Sequence, residues 1–254
     1  MSRVKVGFFS FVEVTDPAEH EAYNRWHQLD HLPEQYQIDG IAHGERWVRT
    51  PACRAAELVS PGIGDPLHYV TLYLVGEPVG PTLGQFAELG RRLAGLGRFH
   101  QHRRSHLFGA FQLLEAHVAP RVLVSAEAVP WRPGTGIYVI VEEPTDEARL
   151  AGWVRTLHQD HLPRLMAVPG VVGAWSFAAS PLYTNPGWVM GAERITVCWL
   201  DDDPLRVAAA LAPLLAQRWA GAPVRPLLAG PWEPVVAGRW SWFDDDGPPA
   251  SGPP

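Results

Sequence analysis

The chain contains two copies of one pattern. Residues 23–33 (YNRWHQLDHLP) and 153–163 (WVRTLHQDHLP) align without a gap, setting Arg25 over Arg155, Asp30 over Asp160 and His31 over His161. The same offset carries Gly40-Ile41 onto Gly170-Val171 and Trp47 onto Phe177. A repeat this long restricts the fold, because each copy must be one supersecondary unit and the copies must bury what neither covers alone.

The order of elements agrees between the copies. Lys5–Val14 is rich in β-branched and aromatic residues and reads as a strand, and Asp16-Pro17 then opens a helix to about Leu32 through an Asp cap and a Pro in the first turn. Ile137–Val141 and Pro144–Leu162 repeat those signals. Strands follow at Ile41–Arg49 and Val171–Ala179, then at His68–Val75 and Arg194–Leu200. The apolar spacing of Leu83–Leu96 and Leu205–Trp219 predicts a second helix in each copy. Phe108–Phe111 and Ala237–Trp240 are read as closing strands. This gives β-α-β-β-α-β twice: a first unit over 1–120, a linker over 121–136 that begins with an extra edge strand, a second unit over 137–243, and a disordered Gly/Pro/Asp-rich tail over 244–254.

An antiparallel sheet with both helices on one face leaves its other face bare. Placing the two sheets face to face predicts an intramolecular α+β barrel, a pseudo-dimer within one chain, with helices outside and an interior cavity lined by alternate strand residues. A homodimer is compatible with this arrangement but is not needed to close the core. Two long loops, Thr50–Pro66 and Ser180–Ala192, occupy equivalent positions, where pocket mouths are commonly built.

The net charge of −6 argues against nucleic acid or anionic membrane as partner, since phosphate binding needs clustered Lys and Arg. The two cysteines, Cys53 and Cys198, form neither a CxxC motif nor a disulfide framework, and no secretory signal or apolar span is apparent, so a cytoplasmic location is expected. Eleven tryptophans suit a cavity for a hydrophobic small molecule, although an aromatic-rich core accounts for them equally.

His27, Asp30 and His31 are spaced to share one helix face, and a carboxylate beside an imidazole makes it a general acid or base near neutral pH. Asp160 and His161 repeat the pair, while the counterpart of His27 is Leu157. Helix-end signals explain the same residues: His suits a helix C-terminus, and Pro33 or Pro163 would stop the helix. No metal site follows from this spacing, and no motif implies a cofactor. Trp26, His43, Tyr69 and Tyr73 are candidate substrate contacts, with Tyr183 and Trp188 as a lid. The cluster Arg98, His100, His102, Arg103, Arg104 and His106 reads as a solvated turn, with an anion site or one edge of a heme site as the alternatives.

Tyr23-Asn24-Arg25-Trp26-His27, Asp30-His31-Leu32-Pro33-Glu34, Gly40-Ile41 and Arg46-Trp47 resemble the EthD-like proteins of the dimeric α+β barrel, ferredoxin-like superfamily, over both units. The resemblance implies a tandem ferredoxin-like fold and draws attention to His31 and His161. It is compatible with a cofactor-independent lyase or isomerase (cyclase, dehydratase or decarboxylase) acting on an aromatic or polyketide-like molecule. A heme-dependent or cofactor-free monooxygenase and a non-catalytic binding protein are the alternatives.

Overall fold

The structure, a computed structural model, describes residues 3–59 and 62–243, so the tail at 244–254 lies outside the described residues. Eight strands form one closed antiparallel barrel: β1 (Val4–Val14), β2 (Ile41–Val48), β3 (Tyr69–Gly76), β4 (Arg103–Val118), β5 (Gly136–Pro144), β6 (Val171–Ala179), β7 (Arg194–Leu200) and β8 (Val224–Pro234). Their order around the barrel is β1-β3-β2-β8-β5-β7-β6-β4. This is the two-unit α+β barrel expected from the repeat.

The likeness of the units extends to irregularities. A β-bulge falls between Phe11 and Val12 where β1 meets β4, and another between Val141 and Glu142 where β5 meets β8. The units join along β4–β6 over Phe111–Val118, but β2–β8 pairs more briefly, through Trp47↔Pro234 and Val48↔Glu233, with Val235 N–H donating to the Arg46 carbonyl just beyond.

Strand alternation sorts the side chains. Phe9, Phe11, Trp47, Leu72, Trp175, Phe177, Val197 and Trp232 point inward and fill the barrel with one apolar cluster. The expected interior cavity is therefore absent from the barrel axis, because these aromatics occupy it. Phe8, Tyr73 and Val75 of unit one, and Tyr138, Ile140 and Cys198 of unit two, face outward beneath the helices.

The helices of unit one are α1 (His20–Trp26), continued by a π turn at His27–His31 into α2 (Leu32–Gln35), a short α3 (Pro51–Ala55) in the first long loop, and α4 (Val79–Gly95). Unit two has α5 (Glu147–Thr156), a π turn at Leu157–His161, α6 (Leu162–Leu165) and α7 (Pro204–Trp219). Pro33 and Pro163 do not stop their helices. Proline lacks an N–H and presses on the preceding turn, and the π turn widens the winding just before it: Leu32 N–H donates to the His27 carbonyl and Leu162 N–H to that of Leu157. The Asp-His-Leu-Pro repeat is thus the sequence of a π turn, a feature enriched at functional sites.

Two further expectations are corrected. The last strand of unit two is Val224–Pro234, not Ala237–Trp240, and the linker carries a 3-10 turn at Ala126–Trp131 instead of an edge strand. Among the described residues no helix is long and apolar enough to cross a membrane.

Each long loop reaches the other unit. Leu58 N–H donates to the Ala229 carbonyl (2.9 Å), while Val189 and Phe108 exchange backbone hydrogen bonds of 2.7 and 2.9 Å.

Candidate functional site

A cavity of about 470 Å³ lies in unit one, between the outer face of the sheet and the helices. Its floor is Phe8, Ser10 and Tyr73; α1 and its π turn supply Tyr23, Trp26, His27 and His31, and α2 supplies Gln35. Phe86 and Gly90 come from α4, Phe99 from the segment before β4, Arg103 from the start of β4, and Asn185 and Trp188 from the loop of unit two. A volume of this size suits a small organic ligand.

The same layer is filled in unit two, and the sequence explains the difference. A Cβ on Gly40 would strike Thr82, and one on Gly170 would strike Val207, which aligns α4 with α7. Gly90 then corresponds to Leu215 and Ala94 to Trp219. Leu215 is fully buried in the unit-two cluster, with Trp219 packed against it, whereas a Cβ on Gly90 would meet nothing within 4 Å. Beneath them, Ser10 and Val12 correspond to Ile140 and Glu142. Glu142 accepts hydrogen bonds from Arg218 (2.6 and 2.8 Å) and from Trp219 Nε1 (2.7 Å).

The π turn separates the residues that an α-helix would have grouped. His27 and His31 line the cavity, with ring centroids 5.1 Å apart. Asp30 leaves this face and pairs with Arg98, which also holds Glu34 at 2.8 Å. Trp26 Nε1 donates to the Arg98 carbonyl (2.7 Å), so this ion-paired staple fixes the indole that stacks on His31 at 4.8 Å. The Phe99 ring centroid lies 5.2 Å from that of His31.

Burial, then the nearby Arg103 charge, lowers the His31 pKa to about 3 against a smaller opposing pull from Asp30. His27 is lowered well below its ordinary value by burial and next by Arg46. Both imidazoles are neutral at physiological pH. Their Nδ1 atoms, with Gln35 Oε1 and the Tyr23 and Tyr73 hydroxyls, are buried without a partner among the described residues. His31 Nε2 has only Gln35 Nε2, at 3.5 Å.

Neutral burial has a stability consequence. Since the folded pKa values of His27 and His31 lie below the unfolded value near 6.5, stability is complete above pH 6.5. It falls as the pH drops, by at most about 1.4 kcal/mol per unit for each histidine. Substituting the unit-two residue, His27→Leu, is expected to flatten the decline in urea midpoint between pH 7 and 5. Parallel declines in the two proteins would show that His27 titrates normally.

The other candidates are placed elsewhere. His43 lies 3.5 Å from Glu45 and beside Trp131. Tyr69 is held by Asn24 at 2.8 Å and His20 at 2.9 Å, outside the cavity lining. Tyr183 packs at the edge of the apolar cluster under α4, whereas Trp188 covers the cavity with its ring 5.2 Å from Phe8. His161 borders an open groove beside Arg218 and sits 3.9 Å from Asp160. From sequence Gln35 was not singled out, Phe86 was read only as part of the apolar stripe of its helix, and Arg103 only as one member of the Arg98–His106 cluster. The gap at Gly90 becomes legible only when α4 is aligned with α7.

Among the described residues no group of three or more His, Cys, Asp or Glu side chains is arranged to hold a metal. An axial heme imidazole is ordinarily held through its second ring nitrogen by a carboxylate or carbonyl. The Nδ1 atoms of His27 and His31 have no such partner, so the donor set does not fit that role.

No protein-family model and no curated protein sequence matches the chain. Solved structures do match in fold. A chlorite dismutase variant from Candidatus Nitrospira defluvii is 13% identical with a TM-score of 0.52, covering 97% of this chain and 96% of its own. An anthrone oxidase-like protein is 13% identical (TM-score 0.51; 93% and 94% covered). A candidate monooxygenase from Fusobacterium nucleatum is 6% identical (TM-score 0.55; 93% and 94% covered). These likenesses show a shared dimeric α+β barrel, ferredoxin-like fold.

Proposed function

We propose that the unit-one cavity binds a hydrophobic aromatic or polyketide-like molecule and that His31 removes a proton from it without a cofactor, in a reaction of cyclase, dehydratase or decarboxylase type. The observation carrying this reading is the pair of neutral, partner-poor imidazoles inside an apolar cavity that the sister unit has filled. Proton abstraction needs an unprotonated base within reach of an acidic C–H or O–H, and His31 is held in that form by burial. In a poorly solvated site the resulting imidazolium and substrate anion attract each other strongly, which raises the basicity of His31 as the proton transfers. The proton can then return to a leaving hydroxyl or to carbon. Gln35 steadies the ring, and His27 lies close enough to share the proton through an intervening water or substrate hydroxyl.

Residues 1–120 and 137–243 are taken as the two units, joined in one chain as a pseudo-dimer. Asp30 acts as a positioning residue through Arg98 and Trp26, while Asp160 and His161 belong to the filled unit. The EthD-like resemblance of the helix-end motif supports the choice of His31.

A second reading is favoured by the neighbours, which include an anthrone oxidase-like protein and a candidate monooxygenase. In it, the same deprotonation yields an electron-rich anion that is oxidised by dioxygen. An oxygen electrode separates the readings, since only the second consumes dioxygen in step with substrate.

Occupancy of the cavity is tested by Gly90→Leu, which copies Leu215. The variant is expected to weaken quenching of tryptophan fluorescence by naphthols and anthrones at least about tenfold, or roughly 1.4 kcal/mol. Its melting temperature should be unchanged or raised, because leucine also favours a helix over glycine by up to about 1 kcal/mol. Unaltered binding would place the ligand elsewhere.

A further inference from the structure

Arg103 begins β4 and lines the cavity. Its guanidinium lies 4.6 Å from the Phe99 centroid and 5.7 Å from that of Trp26, a stacked arrangement suited to arginine. Its hydrogen bonding is sparse. Nη1 reaches Ser105 Oγ at 3.4 Å, Nε is buried without a partner, and no ion pair among the described residues includes Arg103.

Acidic side chains on neighbouring segments are committed elsewhere: Asp30 and Glu34 to Arg98, and Glu19 to His100 at 3.2 Å. Of the buried arginines, Arg49 meets Glu57 and Arg218 meets Glu142, each at 2.6 Å, and Arg46 is held by the Asn24 and Gln28 side-chain oxygens at 2.9 and 3.4 Å; Arg194, like Arg103, has no ion pair among the described residues, but it does not line the cavity. A partly buried cation without a counter-charge is costly, and an anion brought by a ligand offsets that cost.

We infer that the cavity takes an aromatic carboxylate, with the aromatic body among Phe8, Phe86 and Trp188 and the carboxylate on the guanidinium of Arg103. This rests on reading the cavity as a small-molecule site and adds the charge of the ligand. The guanidinium fork matches a planar carboxylate, and charge-assisted hydrogen bonds are stronger than neutral ones. Tyr23 and Tyr73, whose buried hydroxyls have no partner among the described residues, line the same cavity.

The test compares 2-naphthoate with 2-naphthamide, two probes of nearly equal shape, by calorimetric titration at pH 7.5. The wild-type protein is expected to prefer the acid by about 10- to 100-fold. Arg103→Met should abolish that preference while keeping amide binding, and its ligand-free melting temperature should rise because an unpaired charge has gone. His31→Gln should retain the preference, so failure of the acid–base reading is distinguishable from failure of this one. Equal affinity for both probes in the wild type would overturn the inference. If neither probe binds, the melting temperature decides: a rise in Arg103→Met supports a charge awaiting an anion, and a fall shows that Arg103 serves the fold and overturns the inference.

Discussion

Removing one member of the Glu142–Arg218 pair, by Glu142→Val or Arg218→Leu, is expected to cost about 3–5 kcal/mol of stability, since either change strands a buried charge. Both side chains are about 1% exposed. Aligning the units supplies a sharper version of this experiment. The counterparts of Glu142 and Arg218 are Val12 and Leu93, both buried and apolar. The double variant therefore transplants the unit-one solution and is expected to recover more than half of the single-variant loss. Trp219 Nε1 and Thr196 Oγ1 lose their partners in this background, leaving a residual cost of about 1–3 kcal/mol. Urea unfolding of the four proteins forms a double-mutant cycle. Single-variant losses below about 1 kcal/mol would show that the pair is solvated.

His31→Gln is expected to lower turnover about 10²- to 10⁴-fold with little change in melting temperature, the range typical for losing a positioned general base. His161→Ala should leave turnover near that of the wild type, because His161 borders an open groove beside Arg218 and not the enclosed cavity of unit one. The acid limb of the wild-type rate profile should begin below pH 6.5: the base form is required, and burial holds the His31 pKa down to about 3. A limb centred near 6.5, or equal losses from His31 and His161 variants, would transfer the base role to another group.

The duplication and the order of elements could be read from sequence because hydrophobic periodicity is local and each copy checked the other. The closing strand of unit two was misplaced for a physical reason. Val224–Pro234 contains Pro226, Pro231 and Pro234, residues ordinarily confined to edges, ends and bulges. Pro226 sits at the bulge opposite Glu142, and Pro234 ends the short pairing with Trp47. In β4, the Arg and His residues at its start obscured a strand that runs from Arg103 to Val118.

At the site, His27, His31, Trp26, Tyr73 and Trp188 were recognisable by residue type. Their common location on the outside of the barrel depended on strand parity and on the filled interior. The diversion of Asp30 to Arg98 arises from a π turn, whose wider winding an assumed 3.6-residue period conceals. The cavity was hidden in a comparison between Gly90 with Ala94 and Leu215 with Trp219. Small residues on a helix signal an opening only when a sister helix shows what is missing.

The segment from Ala119 to Thr135 carries the chain from β4 into β5, so the barrel forms from one polypeptide. In a barrel built from two identical chains, every substitution is made twice. A glycine at the position of Gly90 would remove two core leucines, each truncation costing on the order of 2–5 kcal/mol. A tandem chain incurs that loss once and leaves the opposite half free to become more tightly packed. Covalent fusion thereby releases the barrel from two-fold symmetry, so one half can specialise in binding while the other anchors the fold.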